Sequence, residues 1–290
     1  MQKTKVGIIG TGNIGTDLLI KIGRSPYLEC AIFAGQNPNS PGIARAKSMG
    51  IRTSTKSIQS FIDSPGICDI VFDATSAASH IKHAPVLKKL KKFVIDMTPS
   101  RVGEMCVPIL NLEECLKLDN VNMITCGGQA TTPIVKAITM VHPQIDYVEI
   151  VASIASKSAG IGTRNNIDEY TQATSEGIKF FTGVKQSKAI IILNPAEPPI
   201  MMHNTIYAKI DKPDIKKIKK EMTMIARKIK KYVPGYKITR GPFVENKRLI
   251  IMNEVKGRGD FLPVYAGNLD IINCAAIEVA ENYAKRRFIK

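Results

Sequence analysis

The sequence predicts an α/β protein, a parallel sheet with helices, followed by a second unit of α+β type. Three observations carry this. The chain opens on a short apolar run that breaks into a glycine-rich turn and then a helical pattern. Strand-like and helical runs alternate up to about residue 125, the pattern of repeated strand–helix units on a parallel sheet. Beyond Cys126 the runs lengthen and alternate as half-buried strands do.

Lys5-Val-Gly-Ile-Ile9 reads as a buried strand, Gly10-Thr-Gly-Asn-Ile-Gly15 follows at once, and residues 17–24 continue as a helix. Strand, G-x-G-x-x-G and helix in that order form the Rossmann dinucleotide fingerprint. Gly10 allows the tight turn, Gly12 lets the backbone approach a pyrophosphate, and Gly15 lets helix and strand pack closely. The phosphates would lie on the helix N-terminus, where backbone amides point outward. The second strand, 28–34, ends in Gly35-Gln-Asn37 instead of the acidic residue expected about 20 positions on. Gln36 or Asn37 is left to bond a ribose hydroxyl, and Arg45 or Lys47 to tolerate a 2′-phosphate; NAD is expected over NADP. Further strands are expected at 69–75 and 93–97, with a helix at 80–90 and a lead-in at 122–125. Ser76-Ala77 and Thr98-Pro99 end two of those strands, where ligands of such sheets bind.

Cys126 stands directly ahead of a helical pattern at 133–141. A thiol at a helix N-terminus meets unpaired N–H groups and the positive end of the macrodipole. Both favour the thiolate, which is the form that attacks carbonyl carbon. Paired with a nicotinamide cofactor, it would oxidise an aldehyde through a thioester. The local sequence alone also fits a buried core thiol.

After the cysteine helix, 147–156, 189–193 and 249–255 read as strands and 168–180 as a helix. These make an α+β unit, expected to carry a dimerisation sheet. A last helix, 270–285, follows Gly267-Asn268 and is expected to return to the first domain. The domain boundaries drawn are 1–125, completed by 268–290, for the dinucleotide, and 126–267 for catalysis and dimerisation.

A chain of 290 residues with 44% hydrophobic content can bury a sizeable core. No apolar run approaches the roughly 20 residues of a membrane span, and no signal peptide is read, so a cytoplasmic place is expected. Six cysteines without C-x-x-C spacing suit a reducing compartment and argue against structural zinc; no metal site is expected. The net charge of +16 raises nucleic acid as a partner. Much of the excess lies at 212–231, however, where Ile215, Ile218, Met222, Ile225 and Ile229 mark one apolar face and lysines the others. Without interleaved aromatics this reads as a solvated basic face; part of it would attract an anionic substrate such as coenzyme A. His80, His83 and His142 lack ligand spacing or a neighbouring acid and read as surface or helix residues. His203 reads as structural, Asn194 and Glu197 as ordering a proline loop, and Asp168 and Glu169 as serving a helix N-terminus.

Read together, the motifs resemble one family: the acylating acetaldehyde dehydrogenases that partner 4-hydroxy-2-oxovalerate aldolase in catechol meta-cleavage, a route of aromatic hydrocarbon catabolism. The matching stretches are GTGNIGTD at 10–17, VFDATS at 71–76, VNMITCGGQAT at 121–131, IVASIASKSAG at 150–160, GTRNNIDE at 162–169, IILNPAEPP at 191–199, YVPGY at 232–236 and LPVYAGNLDI at 262–271. They run in order along nearly the whole chain. The resemblance implies a fold like glyceraldehyde-3-phosphate dehydrogenase, NAD as cofactor, coenzyme A as co-substrate, a homodimer and an aldolase partner. It implies Cys126 as the acyl-thioester nucleophile, its alkoxide adduct held by backbone amides of the same turn. Thr11, Gly12, Asn13 and Ile14 match the pyrophosphate turn. Ser158, Ala159, Gly160, Ile161, Gly162, Thr163, Arg164, Asn165 and Asn166 match a cofactor-contacting loop, and Asn268 a residue near the nicotinamide.

Two departures stand out. Where the family often has Arg-Asp-Thr, this chain has His203-Asn204-Thr205, and Asn204 cannot serve as a base. The segment 237–248 is shorter than in many relatives. Two other functions compete: an NADPH-dependent acyl-phosphate reductase on the same scaffold, and a nucleotide-sensing or nucleic-acid-binding protein.

Overall fold

Val6, Ile8 and Ile9 are wholly buried, because β1 (Thr4–Ile9) lies at the middle of a sheet and is paired on both sides. Along the chain come α1 (Asn13–Arg24), β2 (Leu28–Ala34), α2 (Pro41–Ser48), β3 (Thr53–Ser54), α3 (Gln59–Ile62), β4 (Ile70–Asp73), α4 (Ala77–Lys89), β5 (Phe93–Asp96), β6 (Glu104–Met105), α5 (Pro108–Cys115) and β7 (Asn120–Asn122). The sheet order is β3-β2-β1-β4-β5-β7-β6, and every pairing is parallel. The order reverses between β1 and β4, whose carboxyl ends therefore flank the switch point where such sheets take ligands. Two glycines make the first turn possible. Gly10 has φ +110°, and a Cβ at Gly15 would lie 1.9 Å from the Gly10 carbonyl oxygen. The computed structural model describes residues 2–288. It divides into a first unit, reaching Met123 and resuming at Asn273, and a second, Ile124–Ile272.

Two histidines correct the sequence reading. His80 is fully buried, and its Nδ1 lies 2.9 Å from Asp73 Oδ2, the atom that also meets His83 Nδ1 at 2.8 Å. On its other side His80 Nε2 lies 3.5 Å from Asp96 Oδ2 and 3.1 Å from Asn120 Nδ2. The acids end β4 and β5, the strands flanking α4 in the chain, and meet the imidazole only once both strands pack beside the helix. Each also holds the loop beyond its strand. The Thr75 amide and hydroxyl donate to Asp73 at 3.2 and 2.5 Å; the Thr98 amide, Ser100 hydroxyl and Asn122 side-chain amide donate to Asp96. Burial opposes the Asp73 charge, yet its two imidazole bonds hold the carboxyl down to about 2. Burial likewise opposes the His80 charge, but Asp73 and Asp96 keep the imidazole above its ordinary range. Burial pushes Asp96 upward.

The second unit contains α6 (Cys126–Val141), β8 (Tyr147–Ala155), a 3-10 turn at Ser156–Ser158, α7 (Ile161–Asn165), α8 (Ile167–Thr182), β9 (Gln186–Asn194), β10 (Met202–Lys209), α9 (Ile215–Tyr232), β11 (Tyr236–Glu245) and β12 (Arg248–Val255). Its sheet runs β11-β12-β10-β8-β9, with β8 and β9 parallel and the other pairs antiparallel. One face packs under α6, α8 and α9. Val148, Ile150, Ala152 and Ile154 of β8 point there and are buried, at the period of two that a one-sided sheet imposes. The basic helix α9 lays down the expected apolar face, Ile218, Met222, Ile225 and Ile229. The sequence reading omitted β10 and β11: β10 carries polar residues at alternate sites, and β11 holds Gly241-Pro242 and two register shifts. The short 237–248 segment is mostly β11, turning through Asn246 and Lys247, both at positive φ. α10 (Gly267–Phe288) continues into the first unit. There Asn273 donates to Asp17 at 2.7 Å, Ser25 bonds Glu281 at 2.7 Å, and Tyr283 stacks on Phe93.

The buried charges fix how stability should vary with pH. The depressed Asp73 adds stability above its unfolded pKa of about 4, lost as pH falls toward about 2. The raised His80 adds stability in full below about pH 6.5, lost as pH rises through its folded value. His80→Gln should abolish the alkaline loss in urea unfolding followed across pH, and destabilise at neutral pH by about 3–5 kcal/mol. An unchanged pH profile would rule this account out.

Candidate active site

The chain reaches Cys126 through a forced turn. Ile124 has φ 60°, left-handed backbone that a β-branched residue rarely adopts and that costs about 1–3 kcal/mol. Two glycines admit its side chain: a Cβ at Gly128 or at Gly177 of α8 would fall 2.9 or 3.1 Å from Ile124 Cγ2. Thr125 then caps α6. Its hydroxyl accepts the Gly128 N–H at 2.9 Å and meets the Thr174 hydroxyl at 2.7 Å. Cys126 is the first helical residue, seven positions ahead of where the pattern at 133–141 put the helix. Pro133 lies inside α6 and lacks the N–H that would have met Gln129. The neighbouring Ala130 carbonyl accepts from Tyr236 Oη at 2.9 Å and Asn253 Nδ2 at 3.1 Å, which ties this part of the helix to the sheet.

The thiol is not ionised by its position alone, contrary to the sequence expectation. Cys126 is only 9% exposed, and burial pushes its pKa up to about 11, against the pull of Tyr170 and the Gly127 and Cys126 amides. Tyr170, on α8, is the side chain bonded to it: Oη lies 3.7 Å from Sγ and accepts the Gly127 N–H at 3.1 Å. The amides of Gly127 and Gly128 thus already have partners, Tyr170 and Thr125. Nothing in the sequence reading marked Tyr170, Thr125 or Thr174.

Asn204 and Asn253 face α6 from the sheet. Asn204 Nδ2 donates to Asn253 Oδ1 at 2.7 Å, while Asn204 Oδ1, buried, has no partner among the described residues. His203, on the opposite face, lies 3.6 Å from Glu254. Asn194 Oδ1 accepts the Ala196 amide at 2.9 Å, and Glu197 pairs with Lys157; both order the proline loop. Asp168 and Glu169 occupy the first turn of α8.

In the first unit Thr11 and Gly12 form the turn into α1, and Asn13 and Ile14 are its first two residues. Gly12 is the N-cap and offers no side-chain cap, and nothing lies within 4 Å of where its Cβ would stand. An open glycine before uncapped helix amides fits a pyrophosphate. Ser40 Oγ meets Thr11 Oγ1 at 3.0 Å. Asn37 Oδ1 accepts the Asn39 amide at 2.9 Å.

The expected cofactor loop lies in the second unit. Ser158 is buried and donates to the Ala155 carbonyl at 2.8 Å. Ala159, Gly160, Ile161, Gly162, Thr163, Arg164, Asn165 and Asn166 form the tight loop around α7. Arg164 fastens it, reaching the Ser156 carbonyl at 2.9 Å and the Ala159 carbonyl at 3.2 Å, and Asn166 donates to Gly162 at 2.6 Å. Ile161 is 78% exposed at the tip. The loop feeds α8 one turn before Tyr170, whose amide bonds the Asn166 carbonyl at 2.9 Å, so it leads directly to the cysteine. Asn268 is buried with Oδ1 unpartnered, an acceptor that suits a carboxamide amine.

Comparisons with known proteins agree with this layout. A family model described as prokaryotic acetaldehyde dehydrogenase, dimerisation, matches residues 126–263, and one described as semialdehyde dehydrogenase, NAD binding domain, matches residues 5–114. An acetaldehyde dehydrogenase of Pectobacterium atrosepticum is 53% identical over 291 residues, covering 100% of this chain and 98% of the relative. That of Geobacillus stearothermophilus is 52% identical, covering 99% and 98%. Among solved structures, aspartate semialdehyde dehydrogenase II of Vibrio cholerae, complexed with ASA, superposes with a TM-score of 0.65 at 14% identity, covering 99% of this chain and 100% of that one. It shares the fold.

Because burial governs the resting sulfur, alkylation of Cys126 by iodoacetamide in the cofactor-free protein should quicken steadily with pH towards about 11. A rate that levels off near neutral pH would show instead that the helix terminus dominates.

Proposed function

The chain belongs to the acetaldehyde dehydrogenase family, and on that premise we propose that it oxidises acetaldehyde to acetyl-coenzyme A with NAD through a thioester on Cys126. The observation that carries the reading is this sulfur on the first residue of α6, beside the Tyr170 hydroxyl. An acyl-phosphate reductase would call for a histidine base at the cysteine, whereas the side chain bonded to Cys126 is Tyr170.

The Cys126 thiolate adds to the aldehyde carbon, forming the S–C bond and moving the carbonyl electron pair onto oxygen. Bound NAD supplies the acceptor for the hydride that leaves this carbon. As hydride leaves, the alkoxide closes to a carbonyl and the acetyl group stays on sulfur. Coenzyme A thiolate then attacks the acetyl carbon and expels Cys126 as thiolate, an exchange of like for like that needs little driving force. Thr11, Gly12, Asn13 and Ile14 would hold the pyrophosphate, and Gln36 or Asn37 a ribose hydroxyl. Asn268 Oδ1 would accept from the carboxamide, and Ser158 through Asn166 would supply cofactor contacts.

We assign residues 1–125 with 268–290 to the dinucleotide, and 126–267 to catalysis and dimerisation. The dimerisation match gives a homodimer. Its interface would use the sheet face away from the helices. Val151, Ile190, Ile192, Thr205, Tyr207, Ile250 and Met252 point there by strand alternation and cross-strand register. Ile192 is 44% exposed. Among the described residues no helix is long and apolar enough to cross a membrane. A cytoplasmic enzyme with 4-hydroxy-2-oxovalerate aldolase bound is the assembly this reading favours, since an adjoining aldolase would deliver a volatile aldehyde directly.

NADH formation from acetaldehyde should require coenzyme A for sustained turnover and proceed poorly with NADP. Cys126→Ser should abolish it while NAD binding persists; retained activity would sink the reading. Asn268→Ala should raise the KM for NAD about tenfold, the loss of one buried hydrogen bond. Co-expression with an aldolase and size-exclusion chromatography would report the partner.

A further inference from the structure

Tyr170 is a group the family chemistry above does not use. Its ring is buried on α8, Oη receives the Gly127 N–H at 3.1 Å, and Cys126 Sγ lies 3.7 Å away. No space is spare there, for a Cβ on Gly127 would fall 2.2 Å from the phenol oxygen. We propose that Tyr170 is a positioning residue for the nucleophile, whose hydroxyl accepts from the Cys126 thiol and turns to donate to the thiolate.

The chemistry follows from the geometry. A phenol has one rotatable proton and can act as donor or acceptor. With sulfur protonated, S–H and the Gly127 N–H both point at Oη. Once the thiol proton has left to water, the phenol O–H rotates toward sulfur, while the Gly127 N–H still donates to Oη. That second bond polarises the phenol and strengthens the donation, so the helix terminus acts on sulfur through Tyr170. The groups acting electrostatically on Cys126 are Tyr170 and the amides of Gly127 and Cys126; those acting on Tyr170 are Cys126, the Gly127 amide and Thr125. No carboxylate or ammonium is among them. Burial and the sulfur hold the phenol well above its usual range, so it keeps the proton it must donate. The role gives Cys126 one neighbour that favours the thiolate, although Asn204 offers no base.

The inference rests on Cys126 being the nucleophile, but the test reads the sulfur itself. Iodoacetamide labelling of Cys126 at fixed neutral pH reports the thiolate fraction whether or not aldehyde is turned over. Tyr170→Phe keeps the ring and removes the donor. Labelling should slow about tenfold, the effect of one hydrogen bond to a charged group, and thiolate ultraviolet absorbance, taken against Cys126→Ser, should fall at each alkaline pH. A fluorotyrosine placed at position 170, a stronger donor of nearly the same shape, should raise both. Packing alone would not move the two variants in opposite directions. Equal labelling and absorbance in all three proteins, or shifts of the same sign, would overturn the proposal. Lost aldehyde oxidation with these shifts intact would count against the proposed reaction and not against Tyr170.

Discussion

The second unit depends on the backbone reversal at Ile124. A β-branched residue held at φ 60° is tolerated because its side chain fills space left by Gly128 and Gly177. The cost of about 1–3 kcal/mol is offset by packing and by the cap Thr125 forms one residue later, worth about 1 kcal/mol. The reversal starts α6 at Cys126 and aims its first turn at Tyr170. A relaxed backbone there would begin the helix elsewhere and separate sulfur from phenol.

Magnitudes decide the state of that sulfur. A helix terminus contributes about 0.3–1 kcal/mol at an exposed site and up to about 2 in a partly buried one. One pKa unit is about 1.4 kcal/mol. A thiol displaced from 9.0 to about 11 therefore shows burial outweighing the terminus and the phenol together. The resting cysteine is a protected thiol.

Much of this was legible in the chain. The glycine spacing at 10–15 placed the nucleotide turn because Gly10 and Gly15 answer local demands that no other residue meets. The parallel sheet followed from the alternation of runs, though its strand order and the two-residue strands β3 and β6 did not, and the apolar period of α9 predicted its buried face. What escaped depended on contacts distant in sequence. Tyr170 is 44 positions from Cys126 and looks like any helix aromatic. His80 meets Asp73 and Asp96 only after three elements assemble. The start of α6 was missed because Pro133 reads as a helix boundary, whereas side chains from β11 and β12 secure the helix beside it. β10 was missed because His203 and Asn204 break its apolar period, although one faces solvent and the other pairs with Asn253 in the interior.

The outward face of the five-stranded sheet has a consequence for how long the enzyme lasts. If Val151, Ile192, Tyr207 and Met252 are covered only by a second copy, folded protein is drawn toward the assembled form by mass action. Dilution then becomes a denaturing condition. A cell synthesising little of this chain would hold part of it as solitary subunits with a naked apolar band, open to chaperones and proteases, so that abundance itself sets the lifetime of the catalyst.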